Sequence, residues 1–155
     1  MKLEACGIDA QDRVLTSAMA AASLVEAGER VLICAGDGVV EAVEQRGALP
    51  LNPSDETISK DSIDAVIVGF HREFDFHRLA ISAQAIHDGA RLISTNNDPT
   101  YPTPKGLLPG NGSLTAAVAA AGKTQATIAG KPNKPIADLA LRWLETERGS
   151  SGNIV

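Results

Sequence analysis

Apolar and polar positions fall in blocks along this chain. RVLICA (Arg30 to Ala35), AVIVGF (Ala65 to Phe70) and RLIST (Arg91 to Thr95) are short apolar runs bounded by charge and glycine, the pattern of buried strands. Helical patterns lie between them. Thr16 or Ser17 can cap a helix that runs through AMAAASLVEAG and stops at Gly28. Gly36-Asp37-Gly38 reads as a tight turn into VVEAVEQRG. Asp75 can cap FHRLAISAQAIHDG, where Leu79, Ala83 and Ile86 share one face. SLTAAVAAAG predicts a further helix, ATIAG (Ala126 to Gly130) a fourth strand, and Pro135 the start of a last helix over IADLALRWLETERG. That helix carries Leu139, Leu141 and Trp143 to Leu144 in its apolar stripe. Leu49 to Ser62 predicts a loop around a short edge strand, and Asn96 to Gly112 a long loop rich in proline and glycine. Strand and helix alternate throughout, so the expected class is α/β.

Composition adds limits to that picture. The 155 residues suit one domain, or a domain with an appendage. At 44 % hydrophobic and only 3 % aromatic, the core must be built of Ala, Val, Ile and Leu. A net charge of −5 with no basic stripe argues against nucleic-acid or anionic-membrane binding. The N-terminus does not read as a signal peptide, and no segment approaches the ~18 apolar residues of a membrane span. Cys6 and Cys34 form no C-x-x-C pair and read as reduced thiols, so the expected compartment is the cytoplasm. The closing Asn153-Ile154-Val155 reads as a strand just beginning, either a short tail or the edge of a larger protein.

The block AVIVGFHREFDFHRL, then GARLISTNNDPTYPTPKGLLPGNGSLTAAV, then AGKP, resembles the middle of a class IIA phosphatase of the haloacid dehalogenase superfamily. LTSAMAAASLV and CAGDG fit the same pattern upstream. The fixed order G-F, R-E-F, T-N-x-D-P and P-G-x-G makes the resemblance specific, and it covers the chain from about Leu3 onward.

The resemblance implies a C2-type α/β cap at residues 13–122 after a hinge remnant at 1–12. It places a partial core segment of Rossmann-like type at 123–155. It implies a Mg²⁺-dependent phosphomonoesterase acting on a small phosphorylated metabolite through an aspartyl-phosphate. The family's D-x-D-G nucleophile motif and its later G-D metal motif do not occur here, so the chain alone is expected to be inactive and to hold no metal ligand. Lys131, in Gly130-Lys131-Pro132, matches the family's phosphate-pairing lysine. Thr95-Asn96-Asn97 resembles the family's early phosphate-binding T-N-N, but its flanks assign it to the cap. Within the cap, Phe70, Asn96, Asp98 and Tyr101 are the candidates for substrate contact. Asn96 and Asp98 also suit Asx turns, and Phe70 and Tyr101 also suit plain packing.

His71 departs from the family pattern, which has an acid there; it reads as an exposed strand-end histidine or a group titrating near neutrality. His77 and His87 lack metal-ligand spacing and read as solvated, and Asp37 reads as a turn former. The resemblance also implies a homo-oligomer through the cap. The alternative reading is a non-catalytic α/β dimerisation or ligand-binding module. A nucleotide-binding protein using Gly36-Asp37-Gly38 is weaker still, since no G-x-x-x-x-G-K-[ST] or G-x-G-x-x-G is present.

Overall fold

The computed structural model describes residues 4–8, 14–54 and 62–150. After a 3₁₀ turn at Glu4–Cys6, the elements are α1 (Ser17–Ala22), β1 (Arg30–Cys34), α2 (Asp37–Gln45), β2 (Leu49–Leu51) and β3 (Ala65–Val68). Then come α3 (Phe76–His87), β4 (Arg91–Ser94), β5 (Thr100–Thr103), β6 (Gly106–Pro109), α4 (Asn111–Gly122), β7 (Thr127–Ile128) and α5 (Lys134–Ser150). Five strands form one parallel sheet in the order β2-β1-β3-β4-β7. The expected α/β class is therefore observed.

The three central strands, β1, β3 and β4, bury both faces, as parallel strands between helices do, while the edge strands β2 and β7 stay half-buried or exposed. Val31 and Ile33 point to one layer with Ala20, Ala21, Val43 and Ile67. Leu32 and Cys34 point to the other with Val66, Val68, Ile86 and Val118. The period of two along β1 assigns each residue to its layer. Among the described residues no Phe, Tyr or Trp is fully buried in either layer; Phe74 packs half-buried against the second.

Two helix caps are as expected: Thr16 Oγ1 accepts from the Met19 N–H and Asp75 from the Arg78 N–H. Several boundaries differ. α1 stops at Ala22, not Gly28, because turns at Leu24 and Val25 swing Val25 fully into the core. Gly36-Asp37-Gly38 is not a separate turn: Gly36 is the extended N-cap and Asp37 already lies in α2. The helix after the central segment starts at Asn111, two residues early. On α5, Leu139 packs on the core, but Leu141 and Leu144 are 58 % and 44 % exposed, so the apolar stripe is only partly used. The second half of the Leu49 to Ser62 segment falls mostly outside the described residues; β2 is the short edge strand expected there.

The largest departure is the stretch from Asn96 to Gly112. Its middle is not loop but an antiparallel ribbon, β5 paired with β6, with Tyr101 opposite Leu108 and Thr103 opposite Gly106. A two-stranded ribbon has edges on both sides, so prolines in its strands break no sheet ladder.

Candidate functional site at the carboxyl edge of the sheet

β1 is followed to one side by β2 and to the other by β3, so the strand order reverses beside it. Such a reversal leaves a crevice at the carboxyl ends of the strands. A cleft of about 270 Å³ opens there, lined by Ser17, Gly36, Asp37, Phe70, Thr95 and Asn96 among others. A larger cleft of about 620 Å³ shares Gly36 and Asp37 and continues over β2 toward His71, Glu73 and Arg78. A third, of about 330 Å³ between α1, α2 and α5, lies among Met19, Arg46 and Leu139 and contains none of the candidate residues.

The structure gathers most of the candidates at this edge. Phe70 leaves β3 with 44 % of its surface exposed. Tyr101, on β5, meets it edge to face, with ring centroids 5.1 Å apart and planes at 76°. Such a pair contributes about 0.5–1.5 kcal/mol beyond burial. Asn96 lies at the exit of β4, where its Oδ1 accepts from the Asp98 N–H at 3.2 Å, the Asx turn expected of it. Asp98 acts through its main chain instead: its carbonyl accepts from the Gly112 N–H at 2.8 Å, and its side chain is exposed.

The two glycines of Pro109-Gly110-Asn111-Gly112 explain how the ribbon is rooted. A β-carbon on Gly110 would be driven into the Asp98 carbonyl, and one on Gly112 into that of Asn97. The first turn of α4 thus lies directly against the chain entering the ribbon, which only glycine permits.

Lys131 follows Gly130, where an added β-carbon would be driven into the Thr95 carbonyl at the exit of β4. The turn is closed by Asn133, whose main-chain and side-chain N–H groups both donate to the Gly130 carbonyl; the Lys131-Pro132 peptide is cis. The lysine is exposed at the same edge as the cleft.

His71 is not exposed; it retains 8 % of its surface. Nδ1 lies 2.9 Å from the Gly69 carbonyl, which only accepts, so the proton sits on Nδ1. Nε2 faces the Cys34 sulfur at 3.9 Å, and the ring packs edge-on to Phe74. Burial pushes the Cys34 thiol up to about 11, so it stays protonated and offers its S–H to Nε2. A partner for each ring nitrogen makes this burial tolerable. His77, too, is not simply solvated: its Nε2 donates to the Pro53 carbonyl at 3.1 Å. Asp75 pairs with Arg78 at 2.9 Å, and the hydrogen bond from the Arg78 main chain holds its carboxyl below the usual range.

Among the described residues, no three His, Cys, Asp or Glu side chains come together to hold a metal. Both cysteines are free thiols.

Asn111 was not among the sequence candidates, yet its side-chain amide sits at the centre of a buried polar cluster. It donates to the Asn96 carbonyl at 2.8 Å and to Ser94 Oγ at 2.9 Å. Ser94 Oγ in turn donates to the Asn96 carbonyl and bonds Thr115 Oγ1. The only sequence signal is an amide held between two glycines at a helix start, which reads as ordinary capping.

No family model matches the chain. Individual proteins do. The 5'-nucleotidase YutF of Bacillus subtilis is 34 % identical over 140 residues, 88 % of this chain and 52 % of that protein. The crystal structure of a putative p-nitrophenyl phosphatase from Bacillus subtilis superposes with a TM-score of 0.80 at 34 % identity, over 93 % of this chain and 55 % of that one. The glycerol phosphate phosphatase of Mycobacterium tuberculosis, solved in complex with magnesium, gives a TM-score of 0.76 at 35 % identity, over 86 % and 40 %. The chain spans about half the length of the curated relatives it matches.

Proposed function

We infer the function of this chain from its family: it is a homologue of the class IIA phosphatases of the haloacid dehalogenase superfamily. Residues 13–122 are its cap, residues 123–155 the return segment that carries Lys131, and residues 1–12 the remnant of the hinge. In the intact protein the cap selects the leaving group of a small phosphorylated metabolite. The attacking aspartate, on which an aspartyl-phosphate forms, and the acids for Mg²⁺ come from outside these residues. That metal would offset charge on the transferring phosphoryl group.

The observation that carries this reading is the meeting of Phe70, Tyr101 and Asn96 with the Gly130-Lys131 turn at one edge of the sheet. Phe70 and Tyr101 present an apolar surface to the organic half of an ester. Asn96 supplies an amide for its hydroxyl or carbonyl groups, and Asp98 holds the loop beside it. Together they orient the leaving group and keep water from the reacting centre. Lys131 brings an ammonium to the phosphoryl oxygens, where charge builds in the transition state.

A cytoplasmic homo-oligomer joined through the cap completes the proposal; no helix among the described residues is long and apolar enough to cross a membrane. The second reading is a non-catalytic dimerisation or ligand-binding module, which the exposed Leu107, Leu141 and Leu144 favour. A panel of sugar phosphates, glycerol phosphate, nucleoside monophosphates and p-nitrophenyl phosphate, offered with Mg²⁺ to the intact protein and to this chain, separates the two. Turnover by the intact protein alone is expected. No turnover by either would overturn the phosphatase reading.

A further inference from the structure

Asn111 is 2 % exposed and lies in the first turn of α4. Its Nδ2 faces four acceptors: the carbonyls of Asn96 and Val68, and the hydroxyls of Ser94 and Thr95. Carbonyl oxygens only accept, so the nitrogen, not the oxygen, must point toward them. Oδ1 is buried and has no hydrogen-bond partner among the described residues. A buried acceptor without a donor destabilises. The residue is thus poorly chosen for stability alone, and its evident product is a clamp.

The groups it clamps are the two halves of the cleft. Both roots of the ribbon are tied to the first turn of α4: the Gly110 N–H and Ser113 Oγ donate to the Pro99 carbonyl, and the Gly112 N–H donates to that of Asp98. Asn111 then ties that turn to the exit of β4 through Asn96, and to the last residue of β3 through Val68. Phe70 stands two residues beyond Val68, and Tyr101 two residues beyond Pro99. A single amide therefore bridges the strand exit that bears one ring and the ribbon that bears the other.

We propose that Asn111 is a positioning residue that fixes the Phe70–Tyr101 pair across the cleft through the Asn96, Val68 and α4 contacts, without touching a ligand. Its consequence for substrate choice rests on the phosphatase-cap reading; the geometric claim does not.

The test is proton NMR of the 155-residue chain, in which Tyr101 is the one tyrosine. Wild type should show cross-relaxation between the rings of Tyr101 and Phe70. In Asn111→Ala that cross-peak should be lost while the amide signals of β1 and β3 stay in place. Asn111→Asp keeps the shape but turns an acceptor toward the carbonyls of Asn96 and Val68. It should lose the cross-peak near neutral pH and regain it in part on acidification, when a carboxyl whose pKa is raised by burial takes up a proton and donates again. A retained cross-peak in folded Asn111→Ala would overturn the proposal. If the Ala variant fails to fold, the Asp variant decides by the same criterion. In wild type itself the Asn111 side-chain amide should exchange its protons slowly, and exchange at the rate of an exposed amide would equally overturn it. Should the ester panel show no turnover while these spectra behave as expected, the functional reading falls and the positioning role stands.

Discussion

The strands β1 and β3 and the ribbon β5–β6 are held in contrasting ways. β1 and β3 lie side by side with Val31 against Ala65 and Ile33 against Ile67, and all but the first residue of β1 is buried. Many interchangeable aliphatic contacts support them, so removing one costs energy without changing the arrangement. The ribbon buries almost nothing: every residue of β6 is exposed, and β5 is only half-buried at Tyr101 and Thr103. Its place is set by a few directed contacts, at Gly110, Gly112, Ser113 and the Phe70–Tyr101 edge. Stability resides in the first region, while the second holds a shape that the first does not need, which is how binding loops sit on a scaffold.

The largest expected effect attacks the redundant region. Ile67 is fully buried, and Ile67→Ala should lower the free energy of unfolding by about 2–5 kcal/mol. Urea titration followed by circular dichroism would register this as a lower midpoint with an unchanged slope. A loss below ~1 kcal/mol would mean that the sheet interior is looser than described.

The same region carries a pH signature through Cys34. Its folded pKa of about 11 lies above the ordinary value of 9.0. The folded state therefore holds the proton more tightly, and the associated stability is fully present below pH 9. It declines as pH rises from there through about 11, by up to about 2–3 kcal/mol. Cys34→Val should flatten this alkaline limb in stability measured against pH; an identical limb in the variant would assign it to other groups.

Gly112→Ala probes the root of the ribbon, where the added methyl meets the Asn97 carbonyl. The backbone must move, at a cost of about 1–3 kcal/mol. The amide shifts should change across residues 96–112 and little in β1. Uniform changes throughout the sheet would deny the ribbon its separate footing.

Much of the scaffold was legible in the sequence, because a strand buried on both faces is a continuous apolar run and little else produces one. Thr16 and Asp75 were legible as caps for the same reason: their chemistry acts locally. The ribbon was not. TYPT and GLLP each contain a proline, which signals loop, and only the pairing of Tyr101 with Leu108 across the chain makes them strands. His71 read as exposed because a polar residue at a strand end usually is. The Gly69 carbonyl and the Cys34 thiol that satisfy it are partners the fold supplies. Asn111 escaped for the same reason, since its acceptors lie 15 to 43 residues away in sequence. The candidates Phe70, Asn96 and Tyr101 came from a resemblance to relatives, and their convergence on one edge could not be read from spacing.

Tyr101→Ala is the smallest change for stability, below about 1.5 kcal/mol, since it removes one exposed aromatic contact. It is also the most direct test of the central claim, that this edge of the sheet selects the leaving group. The measurement is kcat/KM of the intact protein for two esters, the best substrate of the panel and a small generic one. For the first, Tyr101→Ala should lower kcat/KM by roughly 10- to 100-fold, one lost contact of ~1–3 kcal/mol. For the second, which barely reaches the cap, the loss should be much smaller, whereas Lys131→Ala should harm both esters alike. Equal losses for both esters in Tyr101→Ala would contradict the account and leave the ring with no task but holding the ribbon in place.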